Sequence, residues 1–246
     1  TDTPDPYNQN GFLNVICDTL CLPSQFGAQK WAEKDWVKAD KYSVTGNPGL
    51  DRLVPYRGQR RDFAPAQPML LFAQQTGEVT ETKTKWYEFS QADLEAHFAR
   101  WDNLCRRVQA DGKVRLHPSL AASVFERWRS KTETVLALDT DPNVSRSLAT
   151  ASVLIGNFSS ILTEALVIGT PVVQYTYQPH LRPLDGLLEQ GATWPASFAS
   201  VDSLQAATTA AIADSAENTR KFARFADMCP TVPSAGRVCD EILALL

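Results

Sequence analysis

Residues 149–177 constrain this chain more than any other stretch, because they spell a strand, a tight turn, a helix and a second strand without interruption. Ser152, Val153, Leu154 and Ile155 form a short apolar run suited to a strand buried on both faces. Gly156, Asn157, Phe158, Ser159 and Ser160 then make a turn whose hydroxyls can cap the next helix. That helix is predicted over 161–168; it stops at Gly169, and Pro171 cannot continue it. Val172, Val173, Gln174 and Tyr175 begin the next strand. Such a βαβ unit aims its helix N-terminus beyond the strand ends, which is where an open parallel sheet binds ligands.

The segments around this unit repeat its alternation. An apolar run at 69–73 leads into the polar turn Gln74, Gln75, Thr76, Gly77. Residues 90–110 are predicted as a helix, with Ser90 and Asp93 as an N-cap pair and Leu94, Phe98, Trp101, Leu104 and Val108 at helical spacing. A strand over 113–116 ends at His117 and Pro118, and a short helix is expected over 125–131. A strand-like run over 134–138 and a helix over 144–150 precede the central unit. Beyond it come a charged, proline-containing loop over 178–186 and helices over 201–213 and 234–246. Strand and helix alternating from Met69 onward predict a doubly wound parallel sheet.

The first part of the chain reads as a smaller α/β piece. Residues 1–10 are polar and punctuated by proline, and read either as a tail or as a cut made inside a longer protein. Strands are predicted over 12–17 and 41–44, with a helix over 25–36 between them. Residues 54–68 hold three prolines and three arginines without periodicity, so the domain boundary is expected there. The division is 1–56 for an incomplete N-terminal segment, 57–68 for a linker and 69–246 for the C-terminal domain.

Bulk properties remove several function classes. A net charge of −4 argues against a general nucleic-acid surface. No apolar run approaches the roughly 18 residues of a membrane span. The five cysteines, Cys17, Cys21, Cys105, Cys229 and Cys239, show no CxxC pair and no histidine at metal-ligand spacing, so reduced thiols and no metal are expected. There is no GxSxG, P-loop or GxGxxG.

Three strand ends therefore carry the chemistry: Gln74, Gln75 and Thr76; His117 and Pro118; Asn157, Ser159 and Ser160. A parallel sheet puts these turns on one edge. The match is to a phosphate, with Ser159, Ser160 and the helix N-terminus as donors and His117 as a charge-assisted donor. Serines also cap helices that bind nothing, and a histidine before proline also serves structure. Glu164, about one turn beyond Ser160, suits a ribose hydroxyl, a capping partner or a solvated charge. His180 and Arg182 lie in the loop at the same edge. Arg57, Arg60 and Arg61 have two readings, a solvated linker or a reach toward the phosphate. His97, inside a helix, is given no role.

These residues resemble the nucleotide-binding half of GT-B glycosyltransferases. His117-Pro118 and Ser159-Ser160 are similar to the HP and SS motifs of transferases with cytidine-activated donors: CDP-glycerol glycerophosphotransferases of the teichoic acid polymerase type, capsule polymerases, bacterial sialyltransferases and β-Kdo transferases. Residues 20–31 and 41–53 resemble the end of their first domain, a pattern shared with UDP-N-acetylglucosamine 2-epimerases. The resemblance implies an α/β, GT-B-like fold with a Rossmann-like C-terminal domain after a truncated N-terminal α/β segment. It implies a CMP- or CDP-linked donor, a glycan or polyol-phosphate acceptor and no cofactor. Its setting would be cytoplasmic, with peripheral association at the inner face of the bacterial membrane. In the family the histidine and serines hold the donor phosphates and the helix glutamate approaches the ribose. The His-Gly-Thr type motif of glycerophosphotransferases is absent, so the resemblance assigns a donor site here and leaves the acceptor base without an assigned residue. The Asp-Ser-Gly-Gly turn of the epimerases is replaced by Asn157, Phe158, Ser159 and Ser160. An epimerase, or a noncatalytic nucleotide-sugar-binding piece that needs a missing N-terminal domain or partner chain, are the other readings.

Overall fold

The computed structural model describes residues 15–25, 28, 37–59, 67–75, 77–79, 86–157, 159–176, 185–230 and 233–245. Its centre is a six-stranded parallel sheet made of β3 (Met69–Gln74), β6 (Asp111–Leu116), β7 (Leu136–Leu138), β8 (Val153–Gly156), β9 (Val172–Thr176) and β10 (Trp194–Ser197). The spatial order is β10-β9-β8-β3-β6-β7. The chain thus starts in the middle, winds outward to β7, returns to β8 and winds outward the other way. The reversal falls between β3 and β8, a topological switch point of the kind that opens a ligand crevice at the strand carboxyl ends.

Helices cover both faces. On one face α3 (Gln91–Val108), α4 (Ala122–Arg129) and α8 (Val201–Ala213) pack on Leu70, Phe72, Val114, Ile155 and Val173. Phe72 stacks on Trp101 with ring centroids 4.8 Å apart. On the other face α5 (Val144–Thr150), α6 (Ser160–Ile168), α7 (Asp185–Glu189) and α9 (Ser215–Met228) pack on Leu71, Ala73, Leu154 and Val172. Each strand side chain alternates between these layers, and both layers are apolar, as the near-continuous hydrophobic runs require. Gly112 of β6 is required by close packing: a Cβ there would collide with Leu136 and with the Cys105 sulfur of α3.

The central unit forms with edges one residue from those expected. Helix α6 ends in Gly169 at φ 89°, whose N–H bonds Ala165 O at 3.0 Å, while the Thr170 N–H bonds the same carbonyl at 2.9 Å. Only glycine takes that left-handed position without strain, so this Schellman-type end explains the Gly-x-Pro punctuation.

The earlier part holds β1 (Val15–Leu22) paired in parallel with β2 (Val37–Val44), followed by α1 (Pro48–Asp51) and α2 (Val54–Gln59). Strand β2 begins at Val37, earlier than the expected 41–44; of the helix expected over 25–36, Gln25 and Ala28 are helical, with the Ala28 N–H on Ser24 O at 3.0 Å, and the other residues lie outside the described residues. Helix α2 corrects the aperiodic reading of 54–59. Pro55 sits in its first turn, where a missing N–H costs nothing, and Leu50 and Leu53 are buried beside α5 and α6. A short hairpin of β4 (Gly77–Val79) and β5 (Trp86–Glu88) follows β3, where only a polar turn was expected.

The closing helix, α10 (Ser234–Leu243), runs back over the first part of the chain. Asp51 accepts from the Ser234 and Ala235 N–H groups at 3.2 and 3.0 Å, a carboxylate at a helix N-terminus. Glu241 takes Lys41 Nζ at 2.7 Å and Ser43 Oγ at 2.6 Å.

Candidate functional site

The carboxyl edge of β8, β3 and β6 carries three of the expected turns side by side. Register pairs Gln74 with Leu116 and Phe72 with Ile155. His117 therefore follows the last paired residue of β6, and Asn157 follows the end of β8 on the far side of β3. The His117 N–H donates to Gln74 O at 2.9 Å. Leu120 N–H closes a turn on His117 O at 2.8 Å, with Pro118 in its second position. Two inter-strand spacings, about 10 Å, separate the His117 and Ser159 turns. That matches the span of a nucleoside phosphate or diphosphate.

The side chains at this edge differ in freedom. His117 is half-buried, and its Nδ1 faces the Ser119 N–H at 3.2 Å and the Ser119 hydroxyl at 2.8 Å. An N–H partner makes Nδ1 the acceptor, which leaves Nε2–H as the ring's donor. Gln74 is 1% exposed; its Nε2 donates to Gln75 O at 2.7 Å, and its Oε1 has no hydrogen-bond partner among the described residues. Ser159 is the N-cap of α6, its hydroxyl accepting from Ile161 N–H at 3.4 Å, and Ser160 is the exposed first helical residue. The cap is a long bond, so the α6 N-terminus keeps donors and the positive end of its dipole for an anion.

Glu164 lies further along α6, with Arg52 Nη2 at 3.9 Å. It is no capping-box partner, since the third helical position belongs to Leu162. Arg57 stands at the other end of α6, where its Cγ and Nε approach Gly169. There a cation meets the negative end of the dipole, about 13 Å from Ser160. Thr76, His180, Arg182, Arg60 and Arg61 lie outside the described residues.

Two polar clusters near this edge went unread in the sequence. Arg115 Nη1 reaches Asp139 Oδ2 at 2.6 Å and Asp141 O at 3.0 Å, and Ser147 Oγ donates to Asp139 Oδ1 at 3.1 Å. This largely buried pair ties the loop after β7 to α5. Gln174, 1% exposed on β9, donates from Nε2 to Asn157 O at 3.1 Å and accepts from Thr193 Oγ1 at 3.1 Å. A lone glutamine inside an apolar run was the available signal.

The remaining titratable groups of interest are structural. His97 is fully buried on α3 between Phe89 and Phe198, and burial lowers its pKa to about 4. Burial raises the Cys105 thiol to about 12 and the Cys229 thiol to about 11. Cys21, Cys105, Cys229 and Cys239 are free. Among the described residues no group of three or more His, Cys, Asp or Glu is arranged to hold a metal ion.

No family model matches the sequence, and no curated protein matches it. Solved structures do. The wall teichoic acid polymerase TagF is 18% identical with a TM-score of 0.52, over 92% of this chain and 57% of that chain. The UDP-GlcNAc 2-epimerase of Methanocaldococcus jannaschii, in complex with UDP-GlcNAc and UDP, is 12% identical with a TM-score of 0.61, over 93% of this chain and 61% of that one. The Neisseria meningitidis UDP-GlcNAc 2-epimerase bound to UDP-GlcNAc gives 12% and 0.62 over the same shares. The chain thus spans 57% to 61% of the length of these proteins. At such identities the likeness is one of fold, and the chain has a GT-B-like α/β fold whose parallel sheet is the doubly wound, Rossmann-like unit.

Proposed function

We propose that this chain is the donor-binding part of a GT-B-type transferase that uses a cytidine-activated donor, CMP- or CDP-linked, in building a bacterial surface polysaccharide or teichoic-acid-like polymer. The observation that carries the reading is the meeting of the His117 and Ser159 turns on either side of Gln74 at the switch point. The donor phosphates would lie across this edge, against the N-terminal N–H groups of α6, Ser159, Ser160 and His117 Nε2–H. The nucleotide side would run toward Glu164, which suits a ribose hydroxyl.

In the reaction a hydroxyl of the glycan or polyol-phosphate acceptor attacks the anomeric carbon, or phosphorus if the donor is a CDP-alcohol. The nucleotide leaves with the bonding electron pair, and the acceptor proton passes to a base. Preorganised donors at the strand edge stabilise the charge that grows on the leaving phosphate. The base is assigned to no described residue, and a further N-terminal domain or a partner chain is the place proposed for it. Action at the cytoplasmic face of the membrane belongs to the same reading; among the described residues no helix is long and apolar enough to cross a bilayer.

A second reading has its own observation. The two epimerases overlay with TM-scores of 0.61 and 0.62, against 0.52 for TagF, although TagF is the more similar in sequence. An epimerase acting on UDP-N-acetylglucosamine would use the same edge. Incubation with CDP-glycerol or a CMP-sugar, with and without acceptor, separates the two. Acceptor-dependent release of CMP, with glycerol phosphate or the sugar now bonded to the acceptor, supports the transferase, whereas conversion of UDP-N-acetylglucosamine without any acceptor supports the epimerase.

A further inference from the structure

Gln174 occupies a place where packing alone asks for an apolar residue. It faces the layer of Val172, Leu162, Leu187 and Ala192, and is 1% exposed. A valine or leucine would fill such a site without desolvating an amide, which costs about 1–3 kcal/mol unless both ends are bonded. Both ends are bonded, and to different elements. Nε2 donates to Asn157 O at the end of β8, and Oε1 accepts from the Thr193 hydroxyl ahead of β10. The reverse amide orientation would set Oε1 against the Asn157 carbonyl, so the two partners fix the assignment.

The chain of bonds continues. Lys221 of α9, only 7% exposed, donates from Nζ to Thr193 O at 3.0 Å and Gly191 O at 3.3 Å, and lies over the Trp194 ring at 4.6 Å. Thr193 is therefore held from one side by α9 and holds Gln174 on the other. Asn157 leads to Ser159, the N-cap of α6, whose hydroxyl accepts from the Ile161 N–H at 3.4 Å. The residue that leads into the turn is thus held from beneath, through the Asn157 carbonyl, at 3.1 Å.

We propose that Gln174 is a positioning residue that sets the α6 N-terminus for phosphate, through the relay Lys221, Thr193, Gln174, Asn157. The proposal rests on the phosphate-site reading above. It makes the grip on phosphate depend on a buried carboxamide that touches no ligand.

The test uses three variants of the full chain. Gln174→Met keeps the volume and loses both bonds; Thr193→Val loses only the hydroxyl; Val172→Ala is a cavity control on the same strand and the same face. Amide hydrogen exchange at Ile161 and Leu162 is measured in the free protein, and CDP affinity by calorimetry. Gln174→Met should raise exchange at those amides several-fold and weaken CDP about tenfold. Thr193→Val should do the same to a smaller degree. Val172→Ala should lower the unfolding midpoint without selectively raising exchange at those amides or weakening CDP.

CDP binding by the parent protein, with exchange and CDP affinity unaltered in Gln174→Met, or altered as much in Val172→Ala, overturns the role of Gln174 alone. A parent protein that binds no nucleotide overturns the phosphate-site reading, and the role of Gln174 with it. The exchange measurement still reports in that case whether the relay holds the turn.

Discussion

The backbone N–H of His117 bonds the carbonyl of Gln74 at 2.9 Å, and so fastens the end of β6 to the end of β3, whose other neighbour, β8, lies across the point where the strand order reverses. The main chain makes this tie, which leaves the imidazole for other work. It also places the His-Pro turn next to the one buried glutamine of β3 and across from the start of α6.

The division of labour at His117 predicts a separable effect. His117→Ala removes a half-buried ring but keeps the N–H to Gln74 O. Affinity for the nucleotide should fall about tenfold or more, the worth of a charge-assisted hydrogen bond. Stability should stay within ~0.5 kcal/mol of the parent. Calorimetric titration and urea unfolding of the same preparation check both; a variant that unfolds easily and binds normally would return His117 to a structural role.

His97 predicts a pH dependence. It is buried, and desolvation lowers its folded-state pKa from 6.5 to about 4, outweighing the Asp93 carbonyl bond and charge that raise it; Arg100 lowers it further. Between these values the unfolded chain binds a proton that the folded chain refuses. Stability therefore falls as pH drops from about 6.5 to about 4 and levels off below, by up to about 3 kcal/mol from this residue. Urea unfolding across that range should show a shallower decline in His97→Leu than in the parent. Equal slopes would mean that His97 is not held neutral.

Gln109 predicts a gain. It ends α3 with φ 53°, a left-handed conformation that costs a residue with a Cβ roughly 1 kcal/mol. Gln109→Gly should raise the unfolding free energy by about that amount, measured by denaturant titration. A loss instead would show that the Gln109 side chain does more than its backbone position indicates.

Much of the sheet was legible because its strands are apolar runs closed by turn residues. Val153, Leu154 and Ile155, the Gly169 and Pro171 pair, and the capping box of Ser90 with Asp93 all formed as their chemistry demands. Strand β10 was not legible, since it holds Pro195 and few β-branched residues; it is an edge strand, where a missing N–H is tolerated. Helix α9 was missed for a different reason. The face it buries is Asn218, Lys221 and Phe225, so helical spacing is present but hydrophobic periodicity is not. At the candidate site the strand-end turns were readable one by one. The relay through Gln174 was not, because its bonds join residues 157, 174, 193 and 221, which only the fold brings together.

The most direct test of the central claim is a calorimetric or thermal-shift comparison of CMP, CDP, UMP, UDP and GDP on the parent protein. A ligand that binds only the folded state raises apparent stability by RT ln(1 + [L]/Kd), about 2.7 kcal/mol at a hundredfold excess over Kd. CDP and CMP should protect, and a tenfold loss of affinity in His117→Ala should remove about half of that protection at the same concentration. Protection by UDP with none from either cytidine nucleotide would contradict it.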